Sequence, residues 1–400
     1  MMIYREKFEI LSLVSIGLYI ASVLTFSYDT QLNRLSHYMF IIMIVISTIY
    51  LLLKNDKLKW TSLDNYLIFL LIYSLISSLW SNDIYFSLKK CNTFFQLIIL
   101  ANVVYFVIDT QTKIYKFLHI ILYSIFFMYI YTICIYGWNG FLLIANGEGR
   151  LGTEINQANA FGLYCSFAVL IILYSFFIKN NKYIIILLPI PIIMGLLTGS
   201  KKVILLYLFI FLCIYLHKDR EHLLKKVVKI LLIIFAFISI IIYSGFAELL
   251  ISRTANAIYG EDMSTIYRIE MIKIGLDLFK RNPIFGYGIE SYNYYYSRYT
   301  GREGIPAHNN YIQIAVSFGI IGLVCWYGIY YKFFKIYCMY KENNELASLL
   351  FVILITLILN DLTTTCLLNK ITYVILGMSF RICYCLNQVK METYEKIMYG

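Results

Sequence analysis

The sequence is poor in charge and in proline. Only 14% of its 400 residues are charged and four are proline, whereas 60% are hydrophobic and the mean hydropathy is +0.71. About a quarter of the residues of a typical soluble domain are charged, so this composition excludes an ordinary soluble protein. Runs of about twenty apolar residues recur from end to end, which indicates a polytopic helical membrane protein.

Several chemical signatures are also missing. The sequence contains no Asp-x-Asp and no Walker A loop, which argues against a metal-bound nucleotide-sugar site. Its nine cysteines lie in or beside apolar segments, and no Cys/His spacing fits a zinc site, so neither a disulfide framework, a metal nor a cofactor is predicted. Acidic residues are missing from the middle of the apolar runs, which argues against ion-coupled transport.

The apolar runs predict an all-α bundle of about twelve transmembrane helices. The predicted spans are 8–27, 37–53, 63–80, 92–108, 117–136, 158–178, 183–198, 203–217, 230–245, 309–331, 346–360 and 371–387. Pro189 and Pro191 are expected to kink the seventh span. No repeat or linker divides the chain, so residues 1–400 are predicted to form one integral-membrane domain.

The distribution of lysine and arginine predicts the orientation. The net charge of +11 is dispersed over short loops, so we expect it to orient the chain rather than to bind nucleic acid. With the N-terminus in the cytoplasm, every inner loop carries at least two basic residues. Both termini are then cytoplasmic, and residues 137–157, 199–202 and a large loop at 246–308 face outward.

A short amphipathic helix is predicted within the large loop, over residues 265–281. Charged residues gather on one arc of this helix, while Arg268 points into the opposite, apolar arc. A guanidinium on a buried face needs a partner, and an anion such as a diphosphate fits its fork geometry. Alternatively, Arg268 extends to lipid headgroups or water.

Two further outward segments carry basic residues. Arg150 lies between Gly149 and Gly152, ahead of the amides that end at Asn159; Lys201 and Lys202 follow a Gly-Ser pair on a very short turn. Basic residues at these places oppose the usual inside preference and indicate an anionic ligand. The alternatives are an interfacial anchor for Arg150 and contact with outer-leaflet phosphates for the lysines.

One histidine stands at the start of the tenth span. His308 precedes Asn309 and Asn310, and its imidazole could act as a general base toward a sugar hydroxyl or simply cap the helix. The loop around it is rich in tyrosine, from Tyr287 to Tyr311. Aromatic rings with phenolic hydroxyls suit the stacking of sugars, although the membrane interface favours them too.

The order of these motifs resembles the superfamily of O-antigen ligases and polymerases, the Wzy/WaaL-type membrane glycosyltransferases. The resemblance is carried by Arg268, the run Asn-Pro-Ile-Phe-Gly-Tyr-Gly over 282–288, the run His-Asn-Asn-Tyr over 308–311, and Gly319 and Gly322. The segments at Arg150 and at Thr198-Gly-Ser-Lys also resemble the family. Lys201 stands where the family commonly has arginine, and lysine lacks the bidentate fork.

The resemblance implies a fold, a reaction and a set of site residues. The fold would be GT-C-like, and the enzyme would move a glycan from undecaprenyl diphosphate to a sugar hydroxyl on the outer face, with inversion and without a metal. His308 and Arg268 would be catalytic. The expected substrate-binding residues are Arg150, Lys201, Asn309, Tyr311, Asn159 and Tyr287.

The resulting expectation is a repeat-unit polymerase for O-antigen or capsule. The alternative within the class is the ligase that transfers finished polymer to lipid A core or to another acceptor. A flippase for lipid-linked oligosaccharides and a scaffold without catalysis are rival classes. Expected partners are the lipid-linked oligosaccharide, membrane lipids, a flippase and a chain-length regulator.

Overall fold

The computed structural model describes residues 2–27, 29, 31–54, 62–146, 148–217, 263–341 and 344–399. This part of the chain is helical and contains no strand. Its thirteen α-helices, numbered α1 to α13, are Met2–Phe26, Asn33–Lys54, Ser62–Ser77, Ile84–Val107, Gln111–Ala145, Ala158–Phe177, Pro189–Leu197, Lys201–His217, Met263–Arg281, Tyr292–Thr300, Asn310–Tyr340, Glu345–Asp361 and Lys370–Tyr399.

Six helices of the described chain are long and apolar enough to cross a membrane: α1, α2, α4, α5, α6 and α11. The predicted all-α class is therefore confirmed, with six candidate membrane-spanning helices. Every predicted span except the ninth overlaps a helix, and the ninth, at 230–245, lies outside the described residues together with part of the large loop. The count of twelve spans stays a prediction.

Proline breaks the seventh span as predicted. A short 3-10 helix, Lys182–Leu187, precedes α7, and α7 starts with Pro189 in its first turn. Proline is tolerated there because the first amides of a helix have no partner within the helix. With nine residues, α7 is about 14 Å long, which is less than the roughly 30 Å of a bilayer core.

The described residues divide into two compact units. The first contains the described residues within Met1–Val23, Asn33–Ile120 and Glu270–Gly400, and the second contains those within Leu24–Leu32 and Ile121–Ile269. The single integral-membrane domain stays a prediction.

In the second unit, α6 is the central helix. It is apolar on all sides and is buried along nearly its whole length against α7, α8 and the 3-10 helix. Gly162 allows α6 to approach α8 closely, because a Cβ at this position would lie 2.2 Å from a methyl carbon of Val203. Small residues at such contacts are typical of helices that pack within membranes.

In the first unit, a buried ionic cluster joins several helix ends. Asp109, between α4 and α5, lies 2.7 Å from Lys54 and 2.9 Å from Lys113, and Lys113 also contacts Glu9 at 3.0 Å. Arg381 donates to the carbonyl of Asp109. Burial raises the pKa of Asp109, but hydrogen bonds from both lysines outweigh burial and hold it below its usual value. Basic residues that the sequence places on the inner side thus meet at one end of this unit.

The second structural feature of this unit is a reversal of the chain within α11. Gly319 has φ 63° and interrupts the helix. The rings of Tyr311 and Tyr327 stack with centroids 4.6 Å apart, although sixteen residues of straight helix would separate them by about 24 Å. The segment before Gly319 therefore folds back along the segment after it. The span predicted over 309–331 is two antiparallel pieces joined at a glycine turn, rather than one straight helix.

The run over 282–288 docks on this turn. The amides of Tyr287 and Gly288 donate to the carbonyls of Val316 and Ser317, and the amide of Ile320 donates to the carbonyl of Pro283. A Cβ on Gly319 would lie 2.2 Å from the carbonyl oxygen of Ile284. The run over 282–288 and the turn at Gly319 thus pack through direct contact of their backbones.

Replacing Gly319 with alanine should destabilise the protein strongly. The backbone of Gly319 (φ 63°, ψ −155°) lies in a region essentially restricted to glycine, which costs other residues about 1–3 kcal/mol. The clash with the carbonyl of Ile284 should add about 1–3 kcal/mol. Gly137 in α5 is the matched control, because its backbone (φ 56°, ψ −178°) is close to that of Gly319 but a Cβ added there would meet no atom within 4 Å. Thermal unfolding of purified Gly319→Ala and Gly137→Ala measures the difference. Equal losses would show that the close packing of the turn contributes nothing.

Candidate functional site

His308 lies two residues before the first residue of α11, Asn310. It is half-buried, and its φ of 47° puts its backbone in the left-handed region. Such a conformation is uncommon for residues other than glycine and costs energy that the surrounding structure must supply. The chain thus fixes the position of His308 at the expense of local strain, which is typical of functional residues.

The two residues after His308 hold the start of the helix in place. Asn309 is the N-cap: its side chain accepts from the amide of Ile312 at 3.0 Å and donates to the carbonyl of Leu362 at 3.2 Å. Asn310 is fully buried, and its side-chain oxygen accepts from the amides of Cys366 and Leu367. These contacts anchor the helix on which His308 depends.

A buried carboxylate completes this arrangement. Asp361 has no exposed surface, and its Oδ2 accepts from Asn310 at 3.0 Å, Tyr327 at 3.1 Å and Tyr330 at 3.3 Å. A buried carboxylate is costly unless hydrogen bonds satisfy it. Asp361 is not among the residues predicted from the sequence, although the Asn-Asp pair at the end of an apolar run is an available signal.

The predicted residue Tyr311 takes part in the same packing. Its ring stacks on Tyr327, and its hydroxyl lies 3.4 Å from the carbonyl of Ile358. The structure therefore shows Asn309 and Tyr311 holding the start of α11 against neighbouring segments. Their substrate contacts stay a prediction.

In the second unit, Arg150 contacts the turn that precedes α8. Its Nε donates to the carbonyl of Thr198 at 2.7 Å, and a terminal nitrogen donates to Asn159 at 3.2 Å. Ser200 donates to the same oxygen of Asn159 at 3.0 Å. The structure thus brings the segment that contains Arg150 and Asn159 against the 198–201 turn, two segments that the sequence singled out about forty residues apart.

This cluster lies where two helices begin. Helix α6 starts at Ala158 and α8 starts at Lys201, and the first amides of a helix favour an anion. The side chain of Lys201 is exposed, whereas Lys202 is buried. Lys201 is therefore the lysine of the pair that can reach a ligand from solvent.

Arg268 lies on α9 and is half-buried. The buried residues Met271, Gly275 and Leu278 follow it at positions +3, +7 and +10, which is one face of an α-helix. Lys273 and Lys280 are exposed on other faces. The predicted amphipathic helix is thus present, with Arg268 in line with its buried stripe.

Tyr287 borders a cavity of about 470 Å³ in the first unit. We call it the tyrosine cavity and define it by its aromatic and basic side chains: Tyr287, Tyr294, Tyr295, Tyr299, Arg281 and Arg298. Asn82, in the turn before α4, lies on its rim and accepts from the hydroxyl of Tyr295 at 3.3 Å. The sequence indicated the tyrosines, but not the two arginines or the contact with Asn82.

Within the described residues, no three His, Cys, Asp or Glu side chains come together in a way that could hold a metal ion. The polar groups at the predicted sites are guanidinium, amide, imidazole and hydroxyl groups. These side chains can hold an anion, orient a hydroxyl and accept its proton.

Comparison with known proteins supports the resemblance drawn from the motifs. The family model described as "Wzy_C: O-Antigen ligase" matches residues 184–327. This region contains Lys201, Arg268, the run over 282–288, His308 and Gly319, whereas Arg150 and Asn159 precede it. The match confirms the resemblance to the O-antigen ligase and polymerase superfamily. It also indicates an O-antigen ligase- or polymerase-type, glycosyltransferase-like enzyme that acts on lipid-linked oligosaccharides. No curated protein matches the chain.

Replacing Asn310 with alanine should cost more stability than replacing Asn309. Asn310→Ala leaves the amides of Cys366 and Leu367 buried without an acceptor and removes a donor from Asp361, which should cost about 3 kcal/mol. Asn309→Ala removes a helix cap and should cost about 1 kcal/mol. Thermal unfolding of the two purified variants measures this order. The opposite order would contradict the anchoring role of Asn310.

Proposed function

We propose that the protein is a repeat-unit polymerase. It transfers a glycan from an undecaprenyl diphosphate carrier to a sugar hydroxyl of a second lipid-linked oligosaccharide. The observation that carries this proposal is the match of residues 184–327 to the Wzy_C family, together with the strained position of His308 at the start of the reversed helix.

The donor's diphosphate is assigned to cationic and amide groups. The cluster of Arg150, Asn159 and the 198–201 turn offers a guanidinium and two helix N-termini. Such groups stabilise the charge that develops on the leaving diphosphate as the bond to the anomeric carbon breaks. Lys201 adds a charge without the bidentate geometry of arginine.

Arg268 is the second residue assigned to the diphosphate. Arg268 is half-buried and lies in line with the buried stripe of α9, and a cation that is partly removed from water attracts an anion more strongly. A guanidinium can bind two phosphate oxygens at once, whereas an ammonium offers a single point of charge.

His308 is assigned to the acceptor. The acceptor hydroxyl attacks the anomeric carbon, the bond from that carbon to the diphosphate oxygen breaks, and the hydroxyl proton passes to the imidazole. Attack from the face opposite the leaving diphosphate inverts the anomeric configuration. The anchored backbone around Asn309 and Asn310 holds the imidazole in place while this occurs.

The second candidate is the ligase that transfers finished polymer to lipid A core or another acceptor, because the matched family is described as O-antigen ligase. Both reactions use the same donor chemistry and differ in the acceptor. In either case the proposed location is the outer face of the bacterial inner membrane, with both termini cytoplasmic. A flippase and a chain-length regulator are the proposed protein partners.

Arg268→Lys and Arg268→Ala should abolish polymer in cells while the protein remains in the membrane. The lysine variant keeps the charge and loses the fork, so it tests bidentate binding directly. Lys273→Gln is the control, because it removes a positive charge from an exposed face of the same helix. Glycan of wild-type length from Arg268→Lys would contradict the proposed role of Arg268.

Replacing His308 should lower turnover on the order of 10²-fold or more, because the acceptor hydroxyl loses its base. Asparagine tolerates a left-handed backbone better than most residues, so His308→Asn is tested beside His308→Ala. His37→Ala on α2 is the control, since His37 is an exposed histidine elsewhere. The rate is measured with purified protein and a lipid-linked repeat unit. An unchanged rate for both variants would overturn the assignment of His308 as the base.

A further inference from the structure

The tyrosine cavity lies outside the residues assigned to the diphosphate and to the acceptor's proton. It is bordered by tyrosine rings from α10 and the preceding turn. The ring centroids of Tyr287 and Tyr295 lie 4.5 Å apart, and those of Tyr294 and Tyr295 lie 5.4 Å apart in an edge-to-face contact. Its volume of about 470 Å³ falls in the range of small-molecule sites.

The walls of this cavity suit a sugar ring. A pyranose has an apolar face of C–H groups that packs on an aromatic ring, and its hydroxyls need donors and acceptors around the edge. The tyrosine side chains offer both surfaces at once. The amide of Asn82 adds a further polar group at the rim.

The charge in the cavity is positive. Arg281 is paired with Asp277 at 2.8 Å, and Tyr299 donates to the same carboxylate at 3.1 Å. Arg298 bonds to the hydroxyl of Tyr294 at 3.1 Å and lies over its ring, and within the described residues it forms no ion pair with a carboxylate. One guanidinium charge is therefore left for a ligand.

A neighbouring cavity has the opposite character. It measures about 230 Å³, shares Asn82 and Tyr294 with the tyrosine cavity, and is bordered by Asp83 and Glu290. Its carboxyl groups disfavour an anion, so a negatively charged group of a ligand binds more favourably beside Arg298 in the tyrosine cavity.

We propose that the tyrosine cavity binds a carboxylate-bearing sugar residue, such as a uronic acid, of the glycan that this protein handles. The sugar face packs on the tyrosine rings, and Arg298 binds the carboxylate. This inference rests on the proposed function and names the chemical class of the substrate. An anionic lipid headgroup would present the same charge, and the experiment below separates the two sources.

The test compares ligands that differ only in a carboxylate. Saturation-transfer NMR measures the dissociation constants of glucuronate and galacturonate, and of glucose and galactose, for the purified protein in nanodiscs of neutral phosphatidylcholine. We expect the uronates to bind about tenfold more tightly, the effect of one charge-assisted hydrogen bond. Equal affinities, or no binding of either uronate, would overturn the proposal.

Variants then locate the site. Arg298→Gln should remove the preference for the uronates, and Arg298→Lys should restore part of it. Lys280→Gln is the matched control, because it removes one positive charge from an exposed residue that does not border the cavity. Tyr295→Phe gives a second, conservative variant in case Arg298→Gln does not fold. A preference that survives Arg298→Gln in folded protein would overturn the assignment.

The lipid is tested by adding phosphatidylglycerol to the nanodiscs. The glycan proposal expects uronate binding to be unchanged. The contrary result is that phosphatidylglycerol abolishes uronate binding by the wild type but leaves the residual sugar binding of Arg298→Gln unchanged. That result would identify the cavity as a headgroup site and overturn the proposal. Glycan transfer by the same preparations is measured in parallel. Transfer without a uronate preference overturns only this inference, whereas absence of transfer contradicts the proposed function itself.

Discussion

The buried hydrogen bonds of Asp361 are the constraint on which the first unit's candidate site depends. A carboxylate without exposure must be satisfied by donors, and these come from Asn310 on one side of the Gly319 turn and from Tyr327 and Tyr330 on the other. The chain must therefore fold back for the three donors to meet. The reversal in turn places His308 at a fixed, strained position beside the anchored start of the helix.

The motif residues divide into two groups with different physical tasks. Gly319 and the run over 282–288 let two backbone segments pack directly together, which side chains would prevent. Asn310 holds the start of the helix. Arg268 and His308 are left as the groups whose chemistry, a fork-shaped cation and a titratable base, packing alone does not require. A motif match by itself does not separate these tasks.

Much of the fold could be predicted from the sequence, because apolar runs and proline act locally. The meeting of Arg150 with the 198–201 turn could be expected from their shared predicted face. The reversal at Gly319 could not be predicted, because the segments before and after it are both apolar and hydropathy contains no information about the direction of the chain. The partners of Asp361 and the arginines of the tyrosine cavity depend on contacts between distant segments, which no local pattern encodes.

We propose that this protein joins lipid-linked glycans by displacing a diphosphate carrier. The most direct measurement incubates the purified wild-type protein in vesicles with one defined repeat unit on undecaprenyl diphosphate and separates the products by length. A polymerase yields a ladder spaced by one repeat unit, with every product still released by mild acid from its lipid diphosphate. A single band at the length of the starting repeat unit would contradict the proposal.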